Sequence, residues 1–151
     1  MLRYFAVLTL ALGAAASSAD DRPPVSGQVT FLYYNDLAAA DHFYGAVLGL
    51  EKTFDLDWVK IYQLSPTSSV GLVNATKGAH EPSADKPVMV SMVVPEKDVD
   101  GWWRYLKDKG IDVGDGPGIG GDGSIKAFGF EDPEGYTLEV FAWLETEKQE
   151  K

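Results

Sequence analysis

QVTFLYYNDLAAADHFYGAVLGL, residues 28–50, decides the fold. Its first third is β-branched and aromatic, which suits a pleated strand covered on both faces. Asn35 and Asp36 end that strand, and the Asp36 carboxylate is placed to accept from the free N–H groups of a first helical turn. Leu37, Ala40, Phe43, Tyr44, Val47 and Leu48 then recur at helical spacing as one apolar stripe. Gly49 stands where a left-handed residue ends a helix. A strand therefore turns through an aspartate into a helix that packs back on it.

Outward from this stretch, residues 51–56, 59–64 and 70–74 read as three short strands, with turn chemistry at Asp57-Trp58 and at 65–69. Residues 75–86 carry few apolar side chains and read as a linker. The pattern then repeats. Residues 87–94 (PVMVSMVV) form an apolar strand, and Asp98 is expected to open a helix bearing Val99, Trp102, Trp103, Tyr105 and Leu106. Gly110 ends it. Residues 111–113 are expected as a strand, 114–123 as a glycine-rich loop, 125–130 as a strand, 131–135 as a turn and 136–144 as the last strand. Asp36 to Gly49 and Asp98 to Gly110 span nearly the same distance, each through an aromatic pair. The fold class is α+β: two βαβββ modules, 28–76 and 87–144, in one domain over 28–144. Their sheets are expected to curl round a shared cup. Residues 20–27 are a leader and 145–151 a charged tail.

The first 19 residues join one arginine, an apolar run without acids and a Ser-Ser-Ala exit. They read as a signal peptide too short to span a membrane, so the protein is expected to be exported, periplasmic or secreted. Cleavage after Ala19 moves the net charge from −10 to −11. So acidic a chain disfavours nucleic acid and anionic lipid heads as partners. With no cysteine, disulfide scaffolds, thiol catalysis and thiolate metal sites are excluded.

In this setting Asp36-Leu37, Phe43-Tyr44 and Leu48-Gly49-Leu50 stand in the first module. Asp98-Val99-Asp100, Trp102, Leu106, Lys109-Gly110 and the closing run Asp132-Pro133-Glu134-Gly135-Tyr136-Thr137-Leu138-Glu139 stand in the second. Together they resemble the vicinal oxygen chelate superfamily, the glyoxalase/bleomycin-resistance/extradiol-dioxygenase domains. The resemblance implies a ligand or metal in the cup. Its metalloenzymes take His, Gln or Glu from the first and last strands of each module. Here the comparable places hold Val29 and, near the second, Met89. Glu139 is present in the last strand, and the fourth strand offers only Asn74. One carboxylate and one amide are a poor set for a divalent cation, so no cofactor is expected and Glu139 is the one candidate ligand. The resemblance also allows a homodimer.

Alternation along the strands puts Val29, Phe31 and Tyr33 on one face, Met89 and Ser91 on another, and Thr137, Glu139 and Phe141 on a third. These are the candidate ligand-binding residues of an apolar cup with a few polar points, or else the filling of a core. Glu139 is the candidate catalytic residue, because a desolvated carboxylate is a stronger base. His42 reads as a helix-surface residue. His80, in the linker, is either an exposed loop residue or a contact at the cup mouth. The run from Gly116 to Gly121 matches G-x-G-x-x-G, but no helix follows it, so it is no phosphate site. It serves as a rim loop or as a plain connection. One of Trp102 and Trp103 is expected in the core and the other half exposed, and Trp58 is expected to shade the cup or lie on the sheet. Three functions follow: a metal-free binder of a small organic molecule, which is favoured; a lyase or isomerase using Glu139; and an interaction protein with a filled cup.

Overall fold

The computed structural model describes residues 23–145. The expected signal segment 1–19, the first residues of the leader and the tail from 146 lie outside the described residues. The first sheet holds β1 (Gln28–Tyr34), β2 (Lys52–Leu56), β3 (Val59–Ser65) and β4 (Ser68–Asn74). The second holds β5 (Met89–Val93), β6 (Gly118–Gly120), β7 (Ile125–Glu131) and β8 (Thr137–Trp143). Their orders, β1-β4-β3-β2 and β5-β8-β7-β6, are the same order twice. In each, the strand before the helix pairs in parallel with the last strand of its module. The duplication read from the sequence is the architecture.

Helix α1 (Leu37–His42) starts as its cap residue dictates: Asp36 accepts from the Ala39 N–H at 2.9 Å. It runs on as a π-helical segment, Phe43–Val47, in which Leu48 N–H donates to the Phe43 carbonyl. Gly49 then takes the left-handed conformation that releases the chain into β2. Helix α2 (Glu96–Asp108) begins before the expected Asp98. Pro95 ends the strand and its fixed φ leads straight into the first turn, where Glu96 and Asp98 meet the positive end of the helix dipole. Residues 111–113 form no strand. Ile111 N–H is used by the helix end, Trp103 Nε1 donates to the Val113 carbonyl at 3.2 Å, and the Val113 side chain is buried. The edge strand comes instead from inside the glycine-rich loop, as β6.

On both sheets the fully buried side chains lie on the helix-bearing face. Leu32, Tyr34, Val70, Leu72 and Tyr62 from the first sheet share one core with Val90, Phe128, Phe130, Leu138 and Val140 from the second. Aromatic rings cross it continuously. Tyr62 meets Tyr44 at 6.0 Å, Tyr44 meets Phe43 at 5.5 Å, and Phe43 meets Phe130 at 6.5 Å between centroids. The opposite sheet faces are left open. Trp102 and Trp103 are both half-buried against the rim of this core, so neither is the fully buried one expected.

A carboxylate locks the two modules together. Asp132, in the turn before β8, is buried. Its Oδ2 accepts from Tyr34 Oη at 2.6 Å, with Tyr44 Oη at 3.4 Å, and its Oδ1 accepts from the Glu134 and Tyr136 N–H groups at 2.9 and 3.0 Å. From the same turn Glu134 accepts from the Asp36 N–H at 2.7 Å. Tyr136 Oη accepts from Tyr33 N–H at 3.2 Å and donates to Tyr33 C=O at 3.0 Å, closing the free edge of β1. Asp132→Ala leaves these donors unpaired in the core and is expected to cost about 3 kcal/mol in urea unfolding, with Asp132→Asn recovering part of it.

Burial pushes the Tyr34 and Tyr44 hydroxyls far above the ordinary phenol range, and the negative charge of Asp132 adds to it. Burial, then the hydrogen bond to Asp41, does the same for Tyr62. Raised phenols add stability that is complete below the unfolded value, about pH 10, and is lost as pH climbs from there towards the folded values. In a phenolate absorbance titration of the mature chain these three of the six tyrosines that follow residue 19 should ionise only as the protein unfolds; six titrating together near pH 10 would contradict the packing.

Candidate functional site

The open face of the first sheet carries a cavity of about 530 Å³. Alternation places its lining. Phe31 and Tyr33 come from β1, Val73 from β4, Val59 and Ile61 from β3, and Phe54 and Leu56 from β2, with Trp58 in the β2–β3 turn. Val59 and Val73 are buried yet stand outside the main core, because they floor this second apolar layer. Asn74 N–H donates to the Trp58 carbonyl at 2.8 Å, which ties the Trp58 turn to the end of β4.

Two glycines give the cavity its shape. At Gly71 an added Cβ would stand 2.3 Å from the Phe31 ring, so the ring lies across bare backbone. At Gly78 a Cβ would stand 2.4 Å from the Tyr33 ring and 2.8 Å from Val73 Cγ1. The linker can therefore lie directly on Tyr33, and Lys77, Gly78 and Ala79 become a wall of the cavity. Asn74 holds the linker: its carbonyl accepts from the Lys77 and Gly78 N–H groups, and its Oδ1 from Thr76. His80 meets the Tyr33 ring edge-on at 5.3 Å. His42 is exposed on α1.

Of the expected site residues, Phe31 and Tyr33 enter this cavity. Val29, beside Ser69, lines a smaller hollow of about 300 Å³ at the other end of the face. Met89, Ser91, Glu139 and Phe141 lie on the open face of the second sheet and line no part of the Phe31–Tyr33 cavity. Thr137 lines a polar hollow of about 520 Å³ with Glu131 and Asp112. The sequence reading puts Tyr33 and Glu139 in one hollow, whereas the structure sets them on two sheets joined through their other faces. Ser91 Oγ donates to Glu139 Oε2 at 2.9 Å, as strand pairing of Ser91 with Glu139 requires. The sequence reading left out Phe54, Leu56, Ile61 and the linker wall. The period-two run Phe54, Leu56, Trp58 is the signal that finds the first two.

The donors around Glu139 do not fit a divalent cation. Ser91 is its hydrogen-bond partner, Gly129 is its other cross-strand neighbour, and Met89, on the same face of β5, offers only a soft thioether; Val29 lies on the other sheet. Among the described residues no three His, Asp or Glu side chains gather as a metal site. No described helix is long and apolar enough to cross a membrane.

Replacing Gly78 by Val should lift the linker off Tyr33. Trypsin cleavage after Lys77 is then expected to run about tenfold faster than in the parent, by local opening rather than global unfolding. An unchanged rate would mean the linker does not rest on the ring.

The architecture recurs in known proteins. A crystal structure of a glyoxalase/bleomycin resistance protein/dioxygenase from Nocardioides superposes with a TM-score of 0.67 at 24% identity, over 89% of this chain and 92% of that one. Lactoylglutathione lyase from Agrobacterium tumefaciens gives 0.65 at 22% identity, over 80% and 96%. A glyoxalase-related enzyme from Fulvimarina pelagi gives 0.61 at 18%, over 76% and 85%. At such identities the likeness establishes the fold. No curated protein sequence matches the chain. The family model of the Glyoxalase/Bleomycin resistance protein/Dioxygenase superfamily matches residues 27–140, and the chain belongs to that superfamily.

Proposed function

We propose that this is an exported protein that binds a small, largely apolar aromatic molecule in the cavity of its first sheet, without a metal. The carrying observation is the wall: four aromatic rings and four branched aliphatic side chains line some 530 Å³, with Lys77 as the one charged neighbour. That volume falls within the usual range for small-molecule sites, and so does its mainly apolar wall. The donor set at Glu139 supports metal-free binding. Export rests on the 1–19 motif, which lies outside the described residues.

Pairing of two copies belongs to the same reading. Eight large apolar side chains of the open sheet faces stay exposed, among them Met89 at 55%, Val93 at 61% and Trp143 at 67%. At roughly 100 Å² each they approach the ~800 Å² per partner of a standard interface. The first sheet of one copy facing the second sheet of another would make the two open faces the walls of one cup, with room for a ligand between them. A second reading, a lyase or isomerase step with Glu139 as base, is favoured by the one carboxylate oxygen that Ser91 leaves free.

Isothermal titration with 1-naphthol tests the binding reading. A saturable isotherm is expected, weakened about tenfold or more by Trp58→Ala and by Gly71→Ala, whose methyl group drives the Phe31 ring into the cavity. Both variants should keep the parent's circular dichroism. No binding by the parent, or equal binding by both variants, would refute it. A stoichiometric divalent ion in the purified protein that disappears in Glu139→Gln would overturn the metal-free part.

A further inference from the structure

We propose that the open face of the second sheet is a recognition site for an organic cation, an alkylammonium group carried on an apolar body, with Glu139 as its counter-ion. Glu139 sits in the central strand β8 and is half-buried. Ser91 fixes one of its oxygens at 2.9 Å, and among the described residues no lysine or arginine pairs with the other. By contrast Lys52, Lys60, Lys86 and Lys126 all find acidic partners in the fold. A carboxylate that is oriented by a hydroxyl and left without a cation is set up to receive one.

Its surroundings select the kind of cation. Phe141 and Trp143 follow it on the same face of β8 and stand edge to face, their centroids 5.2 Å apart. Trp143 and Val93 are largely exposed. Across from Glu139 and Phe141 on β7 stand Gly129 and Ala127, which cover neither. A metal ion or ammonium ion needs several hard donors to replace its water, and this face supplies one carboxylate. An alkylated ammonium is weakly hydrated and is held by aromatic faces together with a single negative charge. The net charge of −10 adds long-range attraction for cations. The inference rests on the small-molecule reading only in taking the open sheet faces as ligand surfaces; it does not use the aromatic cavity.

The test is an NMR titration of the full mature chain with tetramethylammonium and choline, against 3,3-dimethylbutan-1-ol, the uncharged isostere of choline. Saturable amide shifts are expected at residues 91, 129, 139 and 141 and at the Trp143 indole. The isostere should bind at least tenfold more weakly. Glu139→Gln should weaken choline about tenfold, Phe141→Leu several-fold, and added salt should weaken it further. Equal binding of the isostere, an unchanged Glu139→Gln, shifts confined to other residues, or displacement of choline by an equivalent of zinc would each overturn the proposal. If Glu139→Gln fails to fold, Phe141→Leu and the isostere decide. Loss of choline binding with 1-naphthol binding intact sinks this inference alone, and the reverse sinks only the cavity reading.

Discussion

A buried carboxylate in the turn before the last strand holds this fold in its working shape. Asp132 accepts from a tyrosine on β1, lies within reach of a second on the helix that follows, and accepts from two N–H groups of its own turn. Removing such a charge from water is costly, and the cost is met only because every lone pair that faces the protein finds a donor. Glu134 and Tyr136 flank it and bind the start of α1 and the edge of β1. The turn that ends one module thus fixes the angle at which the other module sits.

That angle decides which surfaces are left over. With the helix-bearing faces joined in one aromatic core, the apolar side chains of the other faces have nothing within the chain to cover them. Contiguous apolar surface of this kind commonly marks a site of contact with another molecule. On the first sheet these side chains line a walled hollow, made where the linker between modules lies on Tyr33. On the second they form an open surface with one oriented carboxylate. The two faces differ in chemistry although they descend from one repeated design, because the linker that walls the first face lies on Tyr33 through Gly78 and Trp58 closes the same hollow from the β2–β3 turn.

Much of this was legible in the sequence, and the reasons are local. Asp36 and Gly49 mark the ends of the first helix because capping and left-handed termination depend on nearby atoms alone. Alternation in β1 and β8 sorted Tyr34 from Tyr33 and Leu138 from Glu139 because side-chain direction in a strand has a period of two. What failed was set by distant partners. Val113 looks like strand, but its carbonyl is taken by Trp103 and its side chain by the core. Gly118–Gly120 looks like loop, yet β7 offers it a ladder. The meeting of Tyr33 and Glu139 could not be judged, because the angle between modules is set by Asp132 and its tyrosines rather than by either strand. Of the linker, the sequence offered only His80 at the cup mouth as one alternative; that residues 77–79 form a wall depends on the absence of a side chain at residue 78, against Tyr33.

The central claim is that the hollow between Phe31, Tyr33 and Trp58 is a true receptacle for a flat apolar molecule. An isotope-filtered nuclear Overhauser experiment on the labelled protein with unlabelled 1-naphthol addresses it at the level of atoms. Contacts from the naphthol ring to Trp58, Phe31 and the Gly78 α-protons are the predicted result. Contacts only to residues away from these walls, or side chains of β1 and β2 packed against one another with no naphthol between them, would contradict it.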